Sequence, residues 1–163
     1  TLLFIFCMMC YVEIFTKTGL MSGLSRALHA GIGDDILLAS FAMLGAVGLV
    51  SGYLANIPVV AASILLVKGY LVLLQMAPEE ALGVGFTDWP AAAVPIFVAM
   101  MFGGTLGGNA TLIGASSNLV AVGVCAAQGR PVRFVTFLRY GVPVTLCQLG
   151  MSAVYIWALS RLG

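Results

Sequence analysis

The groups able to hold a solute or an ion are concentrated in residues 103–118, GGTLGGNATLIGASSN. Asn109, Thr111, Ser116, Ser117 and Asn118 supply amides and hydroxyls, and Gly103, Gly104, Gly107, Gly108 and Gly114 free the backbone between them. A smaller set lies upstream, Asn56 in the run Ala55-Asn56-Ile57-Pro58, with Ser51 close by. Neither set contains a carboxylate. Uncharged oxygens of this kind suit a weakly hydrated cation, which wants several hard donors at once. A break in a helix exposes carbonyls for that purpose, and the N-terminus of the following half-helix presents N–H groups to an anion. Cation and anion can then share one site without buried charged side chains, which are costly in lipid. The glycines also have a structural reading, because Gly103-xxx-Gly107 and Gly104-xxx-Gly108 are small-xxx-small packing patterns. Ser and Thr can likewise bond back to their own helix. Two Asn and three hydroxyls in one short stretch favour binding over packing alone.

The flanking sequence dictates the frame that must position these groups. Residues 91–102 and 119–127 are apolar. Run as one helix, 91–127 would measure roughly 55 Å, against a hydrocarbon core about 30 Å thick. A helix broken in its middle is therefore expected, its irregular backbone buried in protein or lining a wet cavity. Residues 36–75 form a second unit, whose apolar arms 36–54 and 57–74 meet at 55–58. There Pro58 lacks an N–H and disfavours helix at Ile57. The joint carries Ser51, Gly52, Tyr53 and Asn56 in place of charges or an aromatic belt, so a re-entrant hairpin is expected in preference to two full spans. Gly45, Gly48 and Gly52 on its first arm permit close approach of a neighbouring helix.

Residues 1–15 read as the end of a span. Residues 16–35 read as an interfacial segment with a short amphipathic helix at 20–30, a Gly31-Ile32-Gly33 break, and Asp34 or Asp35 capping the next helix. Residues 134–162 form the last span, amphipathic at its start (Phe134, Phe137, Arg139, Tyr140) and containing Pro143. The 77–90 connector has Glu79, Glu80 and Asp88 but no Lys or Arg, whereas 128–133 carries Arg130 and Arg133. The positive-inside rule puts the latter in the cytoplasm and the acidic connector outside.

Composition agrees with this class. Of the 163 residues, 61% are hydrophobic and 8% charged, and the mean hydropathy is +1.11; soluble domains carry about 25% charge. Alternating segments of about ten residues, the mark of outer-membrane barrels, are lacking. A net charge of +1 with no Lys/Arg run argues against a nucleic-acid partner. Cys7 and Cys10 form a C-x-x-C in an apolar helix with no second pair or His cluster to complete a zinc site, so they and Cys125 and Cys147 read as small hydrophobes. His29 alone makes no metal site. No G-x-G-x-x-G occurs, and the Asn109-Ala110-Thr111 sequon lies too deep to serve. Glu13 and Lys68 are the ionisable residues expected at depth, with coupling roles weighed against a helix-end pair with Lys17 for Glu13 and snorkelling for Lys68. The sequence opens at Thr1 inside an apolar run without a charged n-region, which reads as a piece of a longer transporter without a signal peptide.

At Glu13 with Lys17-Thr18-Gly19, at Asn56-Ile57-Pro58, at residues 107–114 followed by Asn118, and at Gly141-Val142-Pro143, the chain resembles the carboxy-terminal half of a known ion-transporter superfamily. That superfamily includes citrate/dicarboxylate–sodium symporters, arsenite permeases, NhaD-type antiporters and the melanosomal P protein, and the nearest likeness is to the citrate-transporter-like anion permeases. The resemblance implies two inverted repeats, each with a re-entrant hairpin and a broken helix, moving by an elevator-type mechanism. It implies Asn56 at a hairpin tip and residues 111–118 at the paired break, lining one sodium and substrate site, with Na⁺ at Asn56, Thr111 and Asn118. Many arsenite-permease- and antiporter-like members carry an Asp before the tip Asn, where this chain has Ala55; that departure favours an anion carrier.

The chain is thus expected to be all-α, a polytopic membrane protein of the cell (inner) membrane, one inverted repeat of a secondary transporter with a re-entrant hairpin and a discontinuous helix. The expected function is that of an anion permease coupled to Na⁺ or H⁺. The alternatives are arsenite efflux, Na⁺/H⁺ antiport and a non-transporting helical membrane subunit. The expected binding residues are Asn56, Pro58, Gly108, Asn109, Thr111, Gly114, Ser116, Ser117 and Asn118, with Glu13 in coupling. No catalytic set and no cofactor beyond bound Na⁺ are expected. The expected partners are a small anionic solute, a coupling cation, the bilayer, the amino-terminal half of the same transporter and a second copy in a homodimer.

Overall fold

A computed structural model describes residues 10, 14, 17–54, 56–83 and 85–162. Glu13, Ala55 and Cys7 lie outside the described residues, and with them the coupling role of Glu13. Six complete α-helices follow one another among the described residues: α1 (Leu20–Ile32), α2 (Ile36–Ser51), α3 (Asn56–Leu73), α4 (Val94–Gly107), α5 (Ser116–Ala127) and α6 (Phe134–Leu162). Single 3₁₀ turns stand at Glu79–Leu82, Ala91–Ala93 and Gly108–Ala110, and no strand occurs among the described residues. The architecture is all-α. Among the described residues three stretches are long and apolar enough to cross a membrane: Asn56–Leu73, Ala91–Ala110 and Phe134–Arg161.

The local reasons are plain in the sequence. Asp35 starts α2 as its N-cap, accepting from the backbone N–H of Leu37 (2.9 Å) and Leu38 (3.1 Å); of the two candidates Asp34 and Asp35, the second does the capping. α1 runs on through Gly31 and stops at Gly33, whose φ of 73° is open to glycine at little cost. The hairpin joint differs in register from the sequence expectation. The turn falls at Gly52–Leu54 and α3 already begins at Asn56, so Pro58 lies in the first helical turn. There its missing N–H removes no intrahelical bond.

α2 and α3 run in opposite directions, for the Tyr70 hydroxyl near the end of α3 donates to the Gly33 carbonyl just before α2 (2.8 Å). α4 runs parallel to α2 and forms with it the most extensive helix pair; each arm meets α4 more than it meets the other arm. One core cluster joins Met43 and Val47 of α2, Val67 and Leu71 of α3, and Ile96 and Met100 of α4. A second joins Leu44, Ala99 and Ile156, bringing in α6. α1 lies along α3, where the Ser25 hydroxyl donates to the Leu66 carbonyl (3.0 Å). The amphipathic helix is thus docked on the hairpin as well as bordering it. At the base, Lys68 reaches the connector, donating to the Gly83 carbonyl (2.9 Å) and lying 5.8 Å from the Trp89 ring centroid. Its ammonium is thus tied to the connector at the base of the hairpin.

Candidate functional site

The helix expected to break does break, within a shorter stretch than residues 103–118. α4 stays helical through Gly103, Gly104 and Gly107, passes through the 3₁₀ turn Gly108–Ala110, becomes extended at Thr111 (φ −127°, ψ 160°) and resumes as α5 at Ser116. The glycines before the break serve contact and not irregular backbone. A Cβ on Gly103 would stand 2.9 Å from the Leu44 carbonyl oxygen, and one on Gly107 would overlap the Gly48 backbone. Gly48 and Gly52 face this seam, whereas Gly45 has open space around it. The small-xxx-small reading therefore holds for the helical part and the binding geometry for the part after it.

The hairpin tip and the break meet. Asn56 turns its Nδ2 toward the carbonyls of Gly104 (3.1 Å) and Gly114 (3.3 Å) and toward Ser51 Oγ (2.8 Å). The opposite orientation would set its amide oxygen against two carbonyl oxygens. Ser51, fully buried, donates to the Gly104 carbonyl (2.5 Å). Thr111, 4% exposed, donates to the Gly52 carbonyl and accepts from the Gly114 N–H (3.0 Å). Asn118 donates from Nδ2 to the carbonyls of Gly108 (3.1 Å) and Thr111 (2.9 Å), closing the loop onto the first turn of α5. Gly108 and Gly114 make this crossing possible. A Cβ on Gly108 would lie 2.5 Å from the Asn56 amide and 3.0 Å from the Gly114 carbonyl oxygen.

Of the nine expected binding residues, Asn56, Gly108, Thr111, Gly114 and Asn118 are brought together. The other four stand apart. Asn109 points away from Asn56, donating to Gln148 Oε1 of α6 (3.2 Å). Pro58 lines an apolar cavity of about 300 Å³ between the two hairpin arms and adds nothing polar to the cluster. Ser116 and Ser117 are exposed in the first turn of α5, with no side-chain cap at its N-terminus; that leaves the opening N–H groups of α5 beside their hydroxyls. Gln148 is a contributor that the sequence reading does not name, and Ser51, named there beside Asn56, is one that the nine binding residues do not include. The signal for Gln148 was faint, a lone amide in an apolar span. For Ser51 it was adjacency to the joint.

The Thr111 hydroxyl spends its proton and one lone pair on the backbone, which makes it a tie across the seam and a poor open ligand. The amide oxygen of Asn118 and the carbonyls released by the break are the hard-oxygen donors of the cluster. α6 covers the other side: a Cβ on Gly141 would come within 2.8 Å of the carbonyl oxygens of both Asn109 and Ala110, so glycine is required for this approach.

The chain is 42% identical over 157 residues to an uncharacterized transporter of Synechocystis sp., covering 96% of the chain and 35% of that protein. It is 34% identical over 157 residues to an uncharacterized transporter of Mycobacterium tuberculosis, covering 96% and 34%. It is also 36% identical over 110 residues to the P protein of Homo sapiens, covering 66% and 12%. The chain thus spans about a third of the length of the curated relatives that match it along nearly its whole length. No family model and no solved structure matches.

Proposed function

We propose that this chain is part of a secondary active transporter that carries a small anion and couples it to a cation gradient, Na⁺ or H⁺. The observation that carries the proposal is the meeting of Asn56 at the hairpin tip with residues 108–118 at the break. Two interruptions of apolar helices, far apart in sequence, converge on one cluster of uncharged oxygens and amides. Such backbone at membrane depth is tolerated where it is buried in protein or lines a cavity, and discontinuous helices of this kind form the midplane sites of secondary transporters. The names of the Synechocystis and mycobacterial relatives support transport. Likeness to the P protein supports the ion-transporter superfamily over an unrelated carrier.

In this reading the carbonyls at the end of α4 and of the turn after it, with the amide oxygens of Asn56 and Asn118, face the cation. The N-terminus of α5, with Ser116 and Ser117, faces the anion. In this reading the hairpin is also re-entrant: α2, at 16 residues or about 24 Å, is short of a hydrocarbon core of about 30 Å, and the tip where it turns into α3 carries Ser51, Gly52 and Asn56 in place of charges. The missing part of the site comes from the rest of the protein.

The test is solute flux in proteoliposomes of the full-length protein, with citrate and succinate as probes under imposed Na⁺ or H⁺ gradients. Asn56→Ala and Asn118→Ala are expected to abolish uptake while the protein still expresses and runs monodisperse. Undiminished uptake in both variants sinks the site assignment, and flux indifferent to every gradient removes the coupling. A second reading, a helical subunit that packs without transporting, is favoured by one observation: the side-chain donors of Asn56, Thr111 and Asn118 are all bonded within the protein. It predicts no flux of any anion and no solute binding.

A further inference from the structure

We propose that a groove at the base of the bundle binds the headgroup of a zwitterionic phospholipid carrying a primary ammonium, a phosphatidylethanolamine. The groove has a volume of about 650 Å³ and lies between the start of α2, the start of α4 and the last turn of α6. Its walls are apolar at Leu37, Pro95 and Leu159, and its charged groups are of both signs: Asp34 and Asp35 before α2, and Arg161 at the end of α6. Three helices open or close here, so the groove sits where apolar surface gives way to polar chain. The Arg161 guanidinium lies 5.6 Å from the ring centroid of the exposed Trp157, an aromatic–basic pair of the kind found where a helix leaves the apolar layer.

The charges fit one headgroup and disfavour others. Among the described residues Arg161 has no carboxylate within ion-pair distance, and a guanidinium binds phosphate oxygens through two parallel N–H bonds. Asp35 caps α2 through Oδ1 alone, leaving Oδ2. Asp34 is 85% exposed, with His29 Nδ1 at 3.6 Å from one of its oxygens. A primary ammonium can donate N–H bonds to these carboxylates, whereas a quaternary ammonium has no N–H to give. An anionic headgroup without an amine would bring its charge beside both carboxylates unpaired. The acyl chains follow the apolar walls down the exposed side chains of α6, such as Val154. This inference concerns the lipid and is independent of which solute is carried.

The experiment is native mass spectrometry of the full-length protein, stripped of lipid in detergent and titrated with phosphatidylethanolamine, phosphatidylcholine and phosphatidylglycerol of matched chains. The wild type is expected to retain phosphatidylethanolamine about tenfold better than either rival, the discrimination of one charge-assisted hydrogen bond. Asp34→Asn is expected to shrink the preference over phosphatidylcholine, and Arg161→Ala to weaken retention of both. Equal retention of the three lipids, or a preference untouched by both substitutions, overturns the proposal. A photoreactive phosphatidylethanolamine gives a second measurement, with labelling expected at residues 34–37 and 157–161. Labelling confined to other surfaces overturns it too, because another part of the protein then covers the groove.

Discussion

Gly107 shows how little room the seam between α2 and α4 leaves. Its missing side chain is what lets the Gly48 carbonyl come close, and a Cβ there would overlap the Gly48 Cα and carbonyl group. Both partners of the clash are backbone, so relief requires moving a helix. Gly107→Ala is expected to destabilise by about 1–3 kcal/mol, the usual cost of overpacking, read as a lowered thermal midpoint in detergent. Gly45→Ala, on the same α2 but with open space around the site, is the control; its midpoint is expected to stay level or rise, since Ala is the better helix former by about 1 kcal/mol. Equal loss in both would mean that the close approach at Gly107 is not what the glycine serves. The contrast was half legible in the sequence. Gly45, Gly48 and Gly52 recur at helical spacing among small residues of one arm, and only the position of α4 tells which of them it touches.

At the scale of elements, the 3₁₀ turn Gly108–Ala110 is held from two sides. On one, the hairpin tip reaches it through Asn56 and the Asn118 amide closes on the Gly108 carbonyl. On the other, α6 presses Gly141 against its carbonyls and Gln148 accepts from Asn109. A double-mutant cycle on Asn109→Ala and Gln148→Ala is expected to give a coupling energy of about 0.6 kcal/mol and no more than about 1.7 kcal/mol, the range of side-chain hydrogen bonds between membrane helices. A coupling energy of zero would mean that the pair does not tie the turn to α6. α5 has little such support. None of its residues is buried, and Val120 is 67% exposed, so its apolar faces have no covering element among the described residues.

For the molecule as a whole, the helix directions set the two ends apart. The acidic connector 77–90 lies at the base with Lys68 and Trp89, while Gly141 of α6 is level with the break. From Arg139 to Arg161 the helix advances roughly 33 Å, close to the thickness of a hydrocarbon core. The loop bearing Arg130 and Arg133 precedes α6 and therefore sits at the end opposite the connector. In intact cells expressing the full-length protein without its native cysteines, a cysteine at Glu80 is expected to react with a membrane-impermeant maleimide. One at Gln128 is expected to react only after permeabilisation. The reverse pattern would invert the orientation, and labelling of both from outside would disprove the span of α6.

The sequence by itself determined the class and the order of parts. Sustained apolar runs, punctuated at residues 55–58 and 103–118 by groups that cannot continue a helix cheaply, are enough to call for membrane helices, a hairpin and a broken helix; the exact bounds of both interruptions came from the structure. Those signals are local: solvation of the backbone in lipid, the missing N–H of proline, the φ freedom of Gly33. What only the tertiary structure decided is which polar groups meet. Asn56 and Asn109 look alike in sequence, each an amide at an interruption of an apolar run, yet one faces the opposing break and the other turns to Gln148 on α6. Thr111 reads equally well as a ligand or as a tie, and it became a tie because the Gly52 carbonyl comes to rest against it. The physical reason is that a hydrogen bond between residues 39 to 59 positions apart leaves no periodic trace in the chain; its partner is chosen by how helices pack, and here that packing is set by glycines whose missing side chains admit a neighbouring backbone.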